Sequence, residues 1–243
     1  MADTLLAVNG LTKRFGGVYA NRDVSFEVGR GEIVGLIGPN GAGKTTLFNL
    51  VTGFIRPDAG AVRLAGADVT GLRPDRLCHL GVARTFQILK PFPRLTAGEN
   101  VMIGALARGG GIARARDTAR RCLALVGLEH KGDVLARGLS TGQRKRLEMA
   151  RALATGPQLL LLDEITGGVD QPSIAGLIAL VGRLREEGVT LLVIEHNMRV
   201  IMGLADRVVF LHLGEKLAEG TPQVIATHPE VVALYLGRQD AGG

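Results

Sequence analysis

Residues 32–52 read EIVGLIGPNGAGKTTLFNLVT, and three segments of this stretch decide the fold. Glu32–Ile37 is a compact apolar run of strand length. Gly38–Gly43 is a glycine loop, and Lys44–Thr52 has the pattern of a helix. Strand, loop and helix in that order are the context required by G-x-x-x-x-G-K-[ST], met here as Gly38 to Thr45. Gly38, Gly41 and Gly43 let backbone N–H groups converge on phosphate oxygens with no Cβ in the way, and Asn40 and Ala42 belong to the same binding loop. Lys44 brings a point positive charge to the β- and γ-phosphates. The Thr45 hydroxyl is a ligand for Mg²⁺, and Thr46 adds a second hydroxyl close to the phosphates. The helix that follows presents its positive N-terminal end to the anion. The stretch is therefore read as a site for a nucleoside triphosphate.

Such a loop needs a second strand whose end carries an acid for the Mg²⁺ shell. Residues 159–170, LLLLDEITGGVD, supply it. The leucines form a buried strand that ends on Asp163, a Mg²⁺ ligand acting through water. Glu164 is one residue further on, where the chain turns and its side chain can approach from the other face. A carboxylate there orients and polarises an attacking water, so Glu164 is read as the hydrolytic base.

Around these two segments, apolar strands alternate with helical patterns. Short strands are read at 4–8, 24–28, 61–65, 189–194 and 207–211. Helical patterns are read over much of 96–136, at 142–154 and near 173–187. This alternation predicts an α/β fold with a parallel sheet. No internal repeat, low-complexity tract or long linker interrupts it.

Residues 139–143, LSTGQ, followed by RKRLEMARAL, resemble the LSGGQ signature of ABC transporter ATP-binding subunits. Other motifs of that family stand in the expected order. Gln87 in ARTFQ resembles the Q-loop glutamine, Asp170 in GGVD the D-loop aspartate, His196 in VIEHNM the switch histidine, and Phe15 in KRFGG the aromatic that stacks on adenine. Tyr19 is the alternative stacker. The resemblance covers essentially the whole chain. It implies a single nucleotide-binding domain over 1–243: a RecA-like parallel core, an N-terminal antiparallel β portion and a helical subdomain at about 88–157. It also implies ATP and Mg²⁺ as cofactors, with Gln87 touching Mg²⁺ or the attacking water and His196 bonding the γ-phosphate. Ser140, Thr141, Gly142 and Gln143 would face the ATP of a partner subunit, so two such subunits, alike or merely related, would sandwich two ATP molecules head to tail. Asp170 is also a natural helix N-cap, since Pro172 follows.

Within the family, GVARTFQILKPFPRLTAGENV, EHNMRVIMGLADRVV and the tail GEKLAEGTPQVIATHPEVVALYLG are similar to the first ATP-binding subunit of transporters for branched-chain and other hydrophobic amino acids. That resemblance implies transmembrane permease subunits as partners. It implies an extracytoplasmic solute-binding protein as an indirect one, and a peripheral location on the cytoplasmic face of the membrane. Urea, short amides or a lipid are the alternative solutes. Two positions depart from the family pattern. Thr141 replaces a glycine of the signature. Ile165 stands where many members have proline, adding an N–H and loosening the loop by about 0.4–1 kcal/mol at compatible sites.

Composition bounds the remaining possibilities. Of the 243 residues, 46% are hydrophobic, enough for a sizeable core. The net charge of +6 is spread along the chain, so it is read as an ordinary solvated surface with no nucleic-acid partner. An ABC ATPase acting on DNA or the ribosome would be expected to carry a second module or a long coiled coil, and neither pattern occurs here. Cys78 and Cys122 are far apart and form no metal or disulfide pattern. The first ten residues carry no basic-then-apolar leader, so no secretory signal is expected, and no apolar run reaches the roughly 18–20 residues of a membrane span.

The role read for Glu164 has a direct test. General-base work contributes roughly 10²–10⁴-fold, so Glu164→Gln should lower steady-state ATPase turnover by at least about 100-fold. Activity within a few-fold of the unmodified chain would remove Glu164 from that role.

Overall fold

The computed structural model describes residues 3–86 and 91–236. The chain begins with a long hairpin, β1 (Thr4–Phe15) and β2 (Val18–Gly29), followed by β3 (Ile33–Ile37) and α1 (Lys44–Val51). Then come β4 (Ala59–Leu64), β5 (Ala67–Asp68), α2 (Pro74–His79) and β6 (Val82–Arg84). Three helices follow: α3 (Ala97–Leu106), α4 (Gly111–Leu125) and α5 (Thr141–Leu153). Next are β7 (Leu159–Asp163), α6 (Gln171–Glu186), β8 (Thr190–Ile194) and α7 (Met198–Leu204). The described chain finishes with β9 (Arg207–His212), β10 (Glu215–Gly220), α8 (Pro222–Ala226) and α9 (Pro229–Leu236). These elements group into two compact units, one made of residues 1–74 and 190–243, the other of residues 75–189.

The first unit holds the expected antiparallel portion, in the order β2-β1-β4-β5. Its register faces Leu6 to Val28, Val8 to Phe26 and, past an irregularity after Val8, Leu11 to Val24, so the apolar residues of β2 keep a period of two while β1 takes an extra residue. The same unit holds β10-β9-β3-β8, with β3 parallel to both β8 and β9. All five residues of β3 and all five of β8 are buried, as strands covered on both faces require. Ile37, Ile201, Val208, Phe210, Ile225 and Val231 form one core cluster there.

β10 was not anticipated. It pairs antiparallel with β9 across a turn whose Leu213 and Gly214 both have positive φ, 49° and 84°. That is the backbone of a tight two-residue hairpin, which usually advertises itself by Asn-Gly or Asp-Gly. Leu-Gly hides it.

In the second unit β7 runs parallel to β6, with Leu161 opposite Arg84. Leu159 to Leu162 are 0% exposed, and burying each such side chain contributes about 1.5–3 kcal/mol. α3 packs on α4 and α5. The approach of α3 to α5 is close enough that a Cβ on Gly104 would lie 2.2 Å from the Arg151 carbonyl oxygen. α3 and α5 each start with a capping box, Thr96 with Glu99 and Ser140 with Gln143.

Candidate active site

The geometry of the first unit's glycine loop comes from its carbonyls. Lys44 Nζ donates to the Gly38 and Pro39 oxygens at 2.7 and 2.9 Å, which holds a buried ammonium against the loop. The Ala42 oxygen accepts from Gly214 N at 3.2 Å, and the Gly43 oxygen from Leu47 N at 2.9 Å and Asn21 Nδ2 at 3.3 Å. No peptide bond among the described residues is cis. In a trans peptide the N–H points away from the C=O. Pinning the Ala42 and Gly43 carbonyls therefore turns the N–H groups of Gly43 and Lys44 to the opposite side. Gly43 itself has no side chain to cap α1.

Two glycines are compulsory here. Gly38 has φ 150° and a Cβ on it would lie 2.1 Å from the Leu211 oxygen. Gly43 has φ 97° and a Cβ on it would lie 2.1 Å from the Ala20 oxygen. Asn40, Gly41 and Thr45 are exposed, Thr46 is half-buried and Ala42 is buried. Phe15 and Tyr19, at 50% and 44% exposed, are both surface rings and neither belongs to the core. Lys13 lies 5.6 Å from the Phe15 ring centre, and Tyr19 lies between Arg14 and Arg22 at 5.6 and 5.4 Å. His196 is exposed just past β8, and the cap of α7 is Asn197, whose side chain accepts from Arg199 N.

In the second unit Asp163 closes β7 and is buried. Its Oδ2 accepts from Arg84 Nη2 at 2.8 Å, and its backbone N–H donates to Thr85 Oγ1 at 3.1 Å. Its Oδ1 is buried with no hydrogen-bond partner among the described residues. A buried carboxylate oxygen left over in this way suits a hard cation or a water bound to one. Removing Arg84 would leave that carboxylate uncompensated, at a cost of about 3–5 kcal/mol.

Glu164 follows, half-buried with φ 50°. Its carbonyl accepts from Lys145 Nζ of α5. Proline disfavours this backbone for the residue before it and drives that residue to an extended conformation. Ile165 places no such restriction on the left-handed Glu164, and its own side chain is buried at 4% exposure.

Glu148 of α5 accepts from Phe86 N at 3.1 Å, next to the Arg84 guanidinium stacked 5.2 Å from the Phe86 ring centre. Thr85, Phe86, Lys145, Glu148, Asp163 and Ile165 line one small cavity. Burial pushes the Glu148 carboxyl up to about 7, against the pull of the Phe86 N–H, Arg151 and Lys145, and Asp163 adds to the rise.

Comparison with known proteins places this geometry in a family. The ABC transporter family model matches residues 21–167, more than half of the chain, and a model described as "Branched-chain amino acid ATP-binding cassette transporter" matches residues 215–241. The chain belongs to the ABC transporter ATP-binding family. It is 39% identical to the high-affinity branched-chain amino acid transport ATP-binding protein LivG of Salmonella typhimurium, over 98% of this chain and 99% of that one. An ATP-binding cassette of an ABC transporter, solved in its ADP conformation, superposes with a TM-score of 0.88 at 32% identity, covering 96% of this chain and 99% of that one. A dimeric ATP-binding cassette in a post-hydrolysis state with ADP and Pi gives 0.81 at 29%, covering 90% and 99%. ABC cassettes bind nucleotide, dimerise and work with transmembrane permease components. This ABC chain is an ATPase subunit of a transporter.

Of the residues singled out in the ABC sequence, Phe15, residues 38–46 and His196 fall in the first unit. Asp163, Glu164, Ser140 to Gln143 and Asp170 fall in the second. Gln87 lies outside the described residues. Ser140 caps α5, accepting from Gln143 N at 3.3 Å while Gln143 Oε1 accepts from Ser140 N at 3.0 Å. Thr141 is exposed at the first position of α5. Asp170 caps α6 through Ser173, the helix role read beside its family role. Sequence reasoning missed Asn21, Arg84, Lys145, Glu148 and Gly214. Arg84 and Lys145 looked like ordinary surface charge, and only the fold reveals their partners.

The raised carboxyl of Glu148 has a pH signature. The folded chain holds this proton more tightly than the unfolded chain, so stability from Glu148 is present below its ordinary 4.5 and lost as pH rises through about 7. Glu148→Gln keeps an acceptor for the Phe86 N–H and removes the titration. Unfolding midpoints measured from pH 4.5 to 8 should show the unmodified chain losing ground to the variant across that window. Parallel curves would contradict the burial of an ionisable carboxyl here.

Proposed function

We propose that this chain is the ATP-hydrolysing subunit of an importer for branched-chain or other hydrophobic amino acids. It works at the cytoplasmic face of the membrane as one of a pair of such subunits beneath transmembrane permease subunits. The solute reaches that assembly on an extracytoplasmic binding protein that this chain never touches. The observation that carries the solute class is the match of residues 215–241 to the branched-chain family model, together with the near full-length similarity to a branched-chain transport protein. No described helix is long and apolar enough to cross a membrane, which fits a subunit that relies on others to do so.

The residues divide the work as follows. The loop from Gly38 to Thr46 cradles the phosphates, Lys44 offsets their charge, and Phe15 stacks on the adenine, with Tyr19 the alternative. Thr45, Gln87 and, through water, Asp163 would hold Mg²⁺, which when bound neutralises charge building on the β- and γ-phosphate oxygens. The unpartnered Oδ1 of Asp163 supports that assignment. Glu164 takes a proton from the attacking water, and His196 bonds the γ-phosphate and holds Glu164. Ser140 to Gln143 and Asp170 act toward the nucleotide of the partner subunit, at a helix start suited to an anion. The whole chain functions as one nucleotide-binding domain, with the signature carried by its helical portion.

The test is to purify the chain with its membrane partners and add candidate solutes on the cognate binding protein. Leucine, isoleucine or valine should stimulate ATP hydrolysis. Stimulation by urea or short amides, with none by branched-chain amino acids, would overturn the solute class.

A further inference from the structure

We propose that Asn21 is a positioning residue for the phosphate loop: its buried amide holds the Gly43 carbonyl and so aims the Lys44 N–H at bound phosphate. Asn21 sits in β2 opposite Lys13 and is 0% exposed. Its Nδ2 donates to the Gly43 oxygen at 3.3 Å. Its Oδ1 is equally buried and has no hydrogen-bond partner among the described residues. Half of this amide is thus used and the other half costs stability. An apolar side chain of the same size would avoid that cost, so the retained bond to Gly43 is what the residue contributes.

The contact falls where the loop most needs an outside restraint. Gly43 has φ 97° and no side chain, so nothing in the residue itself fixes the peptide that joins it to Lys44. Leu47 N restrains the Gly43 carbonyl along the helix axis, and Asn21 restrains it from the strand. With the carbonyl held from both directions, the N–H on the far side of the same peptide has one direction left. β2 also supplies the wall: a Cβ on Gly43 would lie 2.1 Å from the Ala20 oxygen and 2.7 Å from Asn21 Nδ2. The strand that begins beside Tyr19 therefore sets the angle of the first N–H of α1.

This inference rests on the reading of the loop as the ATP site, and the test separates the two. ATP affinity is measured by titration calorimetry for the unmodified chain, Asn21→Leu and Asn21→Ala, with unfolding midpoints alongside. Asn21→Leu should be at least as heat-stable as the unmodified chain yet bind ATP about fivefold more weakly, the loss expected for one neutral hydrogen bond. Asn21→Ala, too small to clash, should show the same weakening with a lower midpoint. Affinity would then follow the amide while stability follows volume, a split that a merely structural role would not produce. Asn21→Ala binding as tightly as the unmodified chain would overturn the positioning role alone. Failure of the unmodified chain to bind ATP would overturn the site reading and this inference with it.

Discussion

A backbone cradles phosphate through converging N–H groups, and in a trans peptide these converge only if the carbonyls of the same peptides point the other way. The rest of the first unit serves that constraint. β3 is buried on both faces and delivers the chain to Gly38 in a fixed place. The β9–β10 turn gives Gly214 N to the Ala42 carbonyl, β2 gives Asn21 to the Gly43 carbonyl, and Lys44 closes the loop from within. The held carbonyls of Pro39, Ala42 and Gly43 leave the N–H groups of Asn40, Gly43 and Lys44 turned the other way, while the Gly38 carbonyl precedes a proline and leaves none. The charge of Lys44 then adds to a site whose shape is already set.

The second unit shows the complementary economy of a buried acid. Asp163 is held by one oxygen and left available by the other. Arg84 makes its burial tolerable, because an unpaired carboxylate at that depth would destabilise the strand it ends. Lys145 and Glu148 of the signature helix reach the Glu164 carbonyl and the Phe86 N–H respectively. The helix that starts at Ser140 is thereby bonded to both segments that flank Asp163 in this unit. A shift of that helix would be felt by the Glu164 backbone directly.

The motifs were legible in the sequence, and much of what surrounds them in the fold was not. GPNGAGKT, LSTGQ and the Asp163-Glu164 pair were readable because each is defined by residues close together in the chain. The strands β3, β7 and β8 were readable because burial on both faces leaves near-continuous apolar runs. Asn21, Arg84 and Gly214 were not, because each acts on a partner brought near only by the fold, 79 residues away for Arg84. β10 was obscured because Leu213 adopts a conformation that glycine or asparagine normally takes. Ile165 was noticed for its extra N–H, and the left-handed Glu164 before it, a conformation that a following proline disfavours, is visible only in the structure.

In the proposed function the loop from Gly38 to Thr46 is the ATP cradle and Lys44 supplies its charge. Calorimetric titration of Mg²⁺-ATP into the unmodified chain and Lys44→Ala tests it most directly. The unmodified chain should bind saturably and the variant at least about tenfold more weakly, the scale of one charge-assisted hydrogen bond. Equal affinity in the two chains would contradict it.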